Sequence, residues 1–223
     1  MVQELPTPAG SALATVDWRR SVFALYERIR ALPPKDGHAI WRAGRDELFR
    51  THPASPLLPE DRAGFRGLDV ADYDPTWLFT ATISAADPYD LDVETGTDGT
   101  VRFQRIGMVE LDGIGSLDVW RLTSYGGGLF IPVKDALSRV SGGTYGGGRY
   151  LIDTIKGADL GTVGGRGGAD GEGANRTVGD RLVLDFNFAY NPSCAYDPEW
   201  ACPLAPPGNT LAVEIPAGER SFH

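Results

Sequence analysis

The first part of the chain has the hydrophobic spacing of two helices. Over residues 15–32, apolar side chains recur every three or four positions, while arginines and a glutamate take the other face. The apolar positions are Trp18, Val22, Leu25, Tyr26 and Ile29. Thr15 or Asp17 can cap the start of this helix, and Pro33-Pro34 ends it. A second, shorter helix is predicted at about 38–50.

After Asp69 the pattern changes to short runs typical of strands, separated by turn-forming residues. The runs are 76–83, 91–95, 100–111, 116–124, 128–133, 147–155, 181–188 and 210–215. Asp98-Gly99 is a strong hairpin signal between the second and third runs. Strands and helices do not alternate along the chain. The predicted fold class is therefore mainly β (α+β), an antiparallel β-barrel or sandwich of about eight strands with an N-terminal helical pair.

The length of 223 residues and the 42% of hydrophobic residues suit one domain with a real core. We expect a single domain over 1–223, with a helical region at 14–66 and a β region at 68–223. A Gly/Asp-rich stretch at 157–179 contains no phosphate-binding motif. Its segment 164–170 is similar to one calcium-binding turn, but the Asp comes one residue late and the period does not repeat. We interpret the stretch as a surface loop.

The net charge of −9 disfavours nucleic acid and anionic membranes as partners, since both need a positive surface. The chain has 20 Asp and 10 Glu, and 18 Arg but only 3 Lys. This acidic, Lys-poor composition fits either a halophilic source or a GC-rich genome. No apolar run reaches the roughly 18–20 residues of a membrane span, and the N-terminus has no secretory pattern. We therefore predict a cytoplasmic location.

Two polar groups stand out near the predicted strands. Alternation over 181–188 places Asp185 and Asn187 on one face, as a ligand- or cation-binding pair or as a hydrogen-bond network. Arg149 follows three glycines that permit a close backbone approach, so it could hold a carboxylate or phosphate. Alternatively, Arg149 and Asp185 could form an ion pair that joins two strands.

Cys194 and Cys202 have seven residues between them, so a disulfide would close a short loop worth about 2–3 kcal/mol. A cytoplasmic location argues against a permanent disulfide. The chain has only three histidines, which disfavours both a zinc site and a Cys–His enzyme. Two buried or pocket-edge thiols, or a disulfide, remain as alternatives.

Three segments carry a family resemblance: 46–68 (DELFRTHPASPLLPEDRAGFRGL), 142–153 (GGTYGGGRYLID) and 184–219 (LDFNFAYNPSCAYDPEWACPLAPPGNTLAVEIPAGE). Each resembles a block of the family catalogued as domain of unknown function 1684. The resemblance spans about residues 40–220, with the glycine-rich insertion as a departure. It implies that the matched polar positions are a shared site or a shared scaffold, and it implies no activity.

We expect a small-ligand-binding protein with a polar pocket at one barrel end, using no metal and no cofactor. The candidate ligand-binding residues are Tyr145, Arg149, Asp185, Asn187, Tyr190, Asn191 and Cys194. One alternative is a metal-independent hydrolase or isomerase with Asp185 as base and Arg149 as electrophilic support. Another is a structural or protein-interaction module. No hydrolase, metalloprotease or dinucleotide motif is present.

Overall fold

The computed structural model describes residues 7–95, 99–123, 126–164 and 180–223. Asp98 of the predicted hairpin signal and residues 165–179 of the predicted surface loop lie outside these ranges.

Three helices precede the sheets: α1 (Pro8–Arg30), α2 (Pro34–Thr51) and the short α3 (Pro59–Gly64). The first helix begins seven residues before the predicted start because Thr7 caps it. The Thr7 hydroxyl accepts a hydrogen bond from the Gly10 N–H at 3.1 Å, and Pro8 occupies the first helical position. The predicted break at Pro33-Pro34 is confirmed, and α1 packs against α2.

The strands form two antiparallel sheets. The larger sheet has the order β2 (Tyr89–Thr95), β3 (Gly99–Leu111), β4 (Gly115–Leu122), β5 (Gly128–Val133) and β6 (Arg149–Asp153). The smaller sheet has the order β1 (Leu78–Ala81), β8 (Arg181–Asp185) and β7 (Thr162–Val163). The mainly β, antiparallel prediction is confirmed. Neither sheet closes into a barrel within the described ranges, so the sandwich alternative fits better.

Two of the predicted strands differ from the structure. The run 181–188 stops at Asp185, because its Oδ1 accepts a hydrogen bond from the Asn187 N–H at 3.0 Å and turns the chain into a 3-10 turn at Phe186–Phe188. The run 210–215 forms no strand, and only Thr210 makes an isolated bridge, to Lys134. The eighth strand is instead Thr162–Val163, in the segment predicted to be a loop.

The larger sheet is apolar on both faces. One face packs against the smaller sheet through residues that include Val119, Ile131 and Leu184, all completely buried. The other face carries a separate cluster of Phe103, Trp120, Leu122, Phe130 and Tyr150. A third cluster joins the helices to the β region. The second face of the larger sheet is therefore available for contacts other than sheet packing.

The segment 215–220 forms polar contacts with both a helix and a sheet. Arg149 on β6 donates hydrogen bonds to the carbonyl oxygens of Ile215, Ala217 and Glu219. The Glu219 carboxylate, 1% exposed, forms an ion pair at 2.8 Å with Arg45 of α2. One short segment thus contacts a strand on one side and a helix on the other.

Candidate functional site

The seven predicted site residues lie in different parts of the structure. Tyr145 and Cys194 line a cleft of about 770 Å³. Tyr190 and Asn191 line a cavity of about 60 Å³, and Asp185 lines a separate cavity of about 270 Å³. Arg149 and Asn187 are completely buried. The seven residues therefore do not form a single pocket.

Arg149 is a structural residue. Besides the three carbonyl oxygens of the 215–220 segment, its guanidinium contacts Asp135 Oδ2 at 3.1 Å. The alternative of an Arg149–Asp185 ion pair is wrong, because Asp135, two residues after β5, is the acidic partner of Arg149. Burial lowers the pKa of Arg149, and the charge of Asp135 opposes that shift. With these partners, Arg149 has little capacity left to hold a ligand anion.

Asp185 and Asn187 form a buried hydrogen-bond network, one of the two predicted alternatives. The Asn187 side-chain amide donates to Asp185 Oδ1 at 2.7 Å and bonds both backbone groups of Asp74 at 2.8 and 2.9 Å. Asp185 Oδ2, in contrast, has no hydrogen-bond partner among the described residues. Burial raises the pKa of Asp185 to about 6. The hydrogen bonds from Asn187 offset that rise only in part, as does the Tyr73 hydroxyl, which lies nearby without making a hydrogen bond of ordinary geometry.

A cavity of about 280 Å³ lies on the second face of the larger sheet, and we name it the sheet cavity. Its apolar wall consists of Val93, Val101, Phe103, Leu122, Phe130 and Ile155. Arg19, Asp153 and Lys156 supply its charged groups. Arg19 is exposed and makes no ion pair with any described residue, while Lys156 Nζ lies 3.8 Å from Asp153 Oδ2. An apolar wall with cations at its edge suits an anion that has an apolar body.

Sequence reasoning missed the sheet cavity because its wall comes from several strands and a 3-10 turn. One signal was available. Val93 and Val101 flank the predicted hairpin and face each other across it, and the observed register pairs them directly. Arg19 carried no such signal, since it is one of several arginines on the polar face of α1.

The small cavity of about 60 Å³ adjoins the sheet cavity, and the two share Tyr150 and Lys156 as lining residues. Arg45 also lines this cavity, with its guanidinium 4.9 Å from the Tyr190 ring centroid. Asn191 Oδ1 has no hydrogen-bond partner among the described residues. The volume can accommodate a few water molecules or one small polar group.

Both cysteines are partly buried free thiols, so this structure contains the thiol alternative and not the disulfide. The Tyr145 hydroxyl lies 3.6 Å from Cys194 Sγ, so these two predicted residues do meet. A hydrogen bond from the Cys194 thiol lowers the pKa of Cys202 to about 6, and the charge of Lys156 acts in the same direction. The same contact raises the pKa of Cys194.

Within the described ranges, no group of three or more His, Cys, Asp or Glu side chains could hold a metal ion. No helix in that part of the chain is long and apolar enough to span a membrane.

Comparisons with known proteins identify the family to which this chain belongs. A solved structure with a TM-score of 0.54 is the solution NMR structure of the uncharacterized protein from gene locus rrnAC0354 of Haloarcula marismortui. It is 33% identical, and the match covers 82% of this chain and 92% of that chain. No curated protein matches. A family model described as "Protein of unknown function (DUF1684)" matches residues 63–220. The chain therefore belongs to the DUF1684 family.

Proposed function

We propose that this protein binds a small organic anion with an apolar body in the sheet cavity. The observation that carries the proposal is the pairing of an apolar wall with two cations, Arg19 and Lys156, at the same opening. The apolar wall would take the ligand body, and the cations would hold its carboxylate or a similar group.

The cavity volume limits the ligand size. At about 280 Å³ the sheet cavity is near the lower end of the range for ligand pockets, which is about 300–1,000 Å³. An aromatic ring with a short acidic side chain, or a medium-length fatty acid, fits this volume. The aromatic rings of Phe103, Phe130 and Tyr150 provide rigid contact area at little cost in conformational entropy.

The charge around the cavity favours an anion even though the whole chain is acidic. The net charge of −9 repels anions at long range. At short range, Arg19 has no counter-ion among the described residues, and Lys156 is 46% exposed with only a loose contact to Asp153. An arginine fork can bind a carboxylate through two parallel hydrogen bonds.

The predicted enzyme alternative has less support than binding. Its two residues do not work together, because Arg149 is held by Asp135 and by backbone carbonyls, whereas Asp185 lines a different cavity. The structural alternative accounts for Arg149 and Asn187, whose polar groups bond to other parts of the chain. It does not account for an apolar cavity with an unpaired arginine at its edge.

Isothermal titration calorimetry with phenylacetate and its neutral amide, phenylacetamide, tests the proposal. We expect the wild type to prefer the anion by about tenfold, which corresponds to about 1.4 kcal/mol. Arg19→Met and Lys156→Met should each reduce that preference several-fold. Arg20→Met and Lys35→Met are matched controls, because neither side chain lines the sheet cavity.

A second variant tests the apolar wall. Val101→Trp places a larger side chain in the cavity from a partly exposed strand position. We expect it to weaken binding of both phenylacetate and octanoate at least tenfold, with unfolding temperature checked in parallel. The proposal fails if octanoate and phenylacetate do not bind the wild type. It also fails if the Arg19 and Lys156 variants keep the full preference for the anion.

A further inference from the structure

A cavity of about 270 Å³ lies between the helices and the smaller sheet, and we name it the helix–sheet cavity. The strand register pairs Leu78 of β1 with Asp185 of β8. Two residues away on the same strands, Thr80 pairs with Val183. Because every second side chain of a strand lies on the same face, these four residues form one wall of the cavity. Most of the other lining residues are apolar: Ile29, Leu32, Leu160, Val163 and Phe188.

One carboxylate oxygen in this wall has no partner. Asp185 is 2% exposed, and its Oδ1 accepts hydrogen bonds from the backbone N–H and the side-chain amide of Asn187, at 3.0 and 2.7 Å. Its Oδ2 accepts none from any described residue, and the nearby Tyr73 hydroxyl makes no hydrogen bond of ordinary geometry with it. A buried oxygen without a donor costs free energy, so the cavity favours a ligand that donates a hydrogen bond to Oδ2.

The charges around the cavity favour a cation over a neutral donor. The other charged lining residue, Arg30, is directed to Asp159: its Nη1 donates to the Asp159 carbonyl oxygen at 2.9 Å and lies 3.7 Å from the carboxylate. Burial raises the pKa of Asp185 only to about 6, so the carboxyl is ionised at neutral pH. A buried negative charge beside an apolar wall attracts a cation whose remaining atoms are apolar.

We propose that the helix–sheet cavity binds a primary amine with an apolar body, with the ammonium group at Asp185 Oδ2 and the hydrocarbon part against the apolar lining. The ammonium would donate a charge-assisted hydrogen bond to the free oxygen and neutralise the buried charge. Thr80 and Val163 are exposed, so the cavity reaches the surface. Its volume suits a compact alkyl amine.

An inorganic cation fits this cavity poorly. Mg²⁺ and Ca²⁺ need about six or more oxygen ligands, whereas the lining is mostly apolar. The part of the chain that the structure describes also has no group of three or more His, Cys, Asp or Glu side chains that could hold a metal. The site is separate from the sheet cavity, with which it shares no lining residue.

Isothermal titration calorimetry of the full chain at pH 7.5 with hexylamine and 1-hexanol tests the proposal, because the two probes match in shape and differ in charge. We expect the wild type to bind hexylamine about tenfold or more tightly than 1-hexanol. Asp185→Asn keeps the acceptor for Asn187 and removes the charge, so the preference for the amine should disappear. Asp92→Asn is the matched control. It removes an exposed carboxylate outside the cavity and should leave the preference unchanged.

Two further variants test the sign of the charge and the location of the ligand. Arg30→Met removes a positive charge from the lining, so it should tighten hexylamine binding several-fold, whereas it would weaken the binding of an anion. Val183→Phe fills the cavity from β8 and should weaken binding of both probes about tenfold or more, with the unfolding temperature checked in parallel. These two variants carry the test if Asp185→Asn does not fold.

Equal affinities of the wild type for hexylamine and 1-hexanol, or no binding of either, would overturn the proposal. A preference for the amine that persists in Asp185→Asn, or hexylamine binding that Val183→Phe leaves unchanged, would place the amine elsewhere and overturn it as well. Phenylacetate binding by Asp185→Asn should match that of the wild type, which keeps a failure here distinct from a failure of the sheet-cavity proposal.

Discussion

Replacing Asp185 by asparagine should stabilise the protein at neutral pH. The carboxyl is 2% exposed, and its Oδ2 has no hydrogen-bond partner among the described residues. Asparagine keeps the oxygen that accepts from Asn187 and removes the buried negative charge. The substitution would have unfolded the protein if Asp185 were paired with Arg149, but that pair does not exist.

The expected gain follows from the pKa of this group. The pKa of Asp185 is about 6 in the folded protein, against an ordinary value of 3.8. Each pH unit between these values corresponds to about 1.4 kcal/mol, so ionising Asp185 costs the folded state about 3 kcal/mol above pH 7. The new amide donor lacks an assured acceptor, which costs about 1–3 kcal/mol unless the Tyr73 hydroxyl accepts from it. We expect a net gain of about 0–2 kcal/mol, which rises to about 3 kcal/mol if the Tyr73 hydroxyl accepts from the amide.

The gain should depend on pH with a definite sign. Between about pH 4 and 6 the folded protein binds more protons at Asp185 than the unfolded chain does, so this group lowers stability as the pH rises. His38 acts in the opposite direction, because burial lowers its pKa to about 4 and the unfolded chain takes up its proton first on acidification. Comparing variant and wild type at each pH removes the His38 contribution.

Urea unfolding followed by tryptophan fluorescence at pH 7.5 and at pH 4 is the assay. The variant should gain stability at pH 7.5, and the carboxylate part of that gain should fall to about 0.5 kcal/mol at pH 4. Asp92→Asn is the control, because Asp92 is exposed and bonded to Arg102, which lowers its pKa. The reasoning is refuted if Asp185→Asn is less stable than the wild type at pH 7.5, or if its effect is the same at both pH values.

The remaining predictions concern the scaffold, with chemical denaturation as the measurement. Arg149→Met should lower the free energy of unfolding by about 3–5 kcal/mol because it leaves Asp135 buried without a counter-ion. Arg102→Met, at an exposed ion pair, should lower it only slightly. Similar losses for the two variants would contradict the structural role of Arg149. Gly148→Ala should destabilise by more than about 1 kcal/mol, because φ is +90° and an added Cβ would lie 2.9 Å from a backbone oxygen. Gly142→Ala, with φ of +69° and open space, should cost less; a reversed order would contradict the packing argument.

The sequence predicted elements whose signals are local. Helices α1 and α2 followed from three- and four-residue spacing and the proline pair, whereas the short α3 was not predicted. Six of the eight predicted strand runs contain strands with similar bounds and antiparallel neighbours. The early end of β8 was also encoded locally, since Asp185 and Asn187 are spaced for an Asx-type turn. The predicted run 181–188 was too long because its alternating pattern continues beyond Asp185, where the strand ends.

Partners that are distant in the sequence were not predictable in the same way. Arg149 had several acidic candidates, and only the paired geometry of β5 and β6 selects Asp135. The sheet cavity depends on the register of several strands and on how α1 lies over them. Tyr145 and Cys194 were both named as candidates, and their contact comes from loop geometry that no periodicity encodes.

The 215–220 segment has a consequence for the order of events during synthesis. Helix α2 is made early, but its Arg45 has its acidic partner only at position 219, and Arg149 finds three of its acceptors between positions 215 and 219. Until the ribosome has released these residues, Arg45 lacks its acidic partner and Arg149 has only Asp135. The helices and the sheets can form and pack as the chain emerges, but the buried polar contacts of Arg45 and Arg149 with the 215–220 segment are completed only when the last of these residues is available.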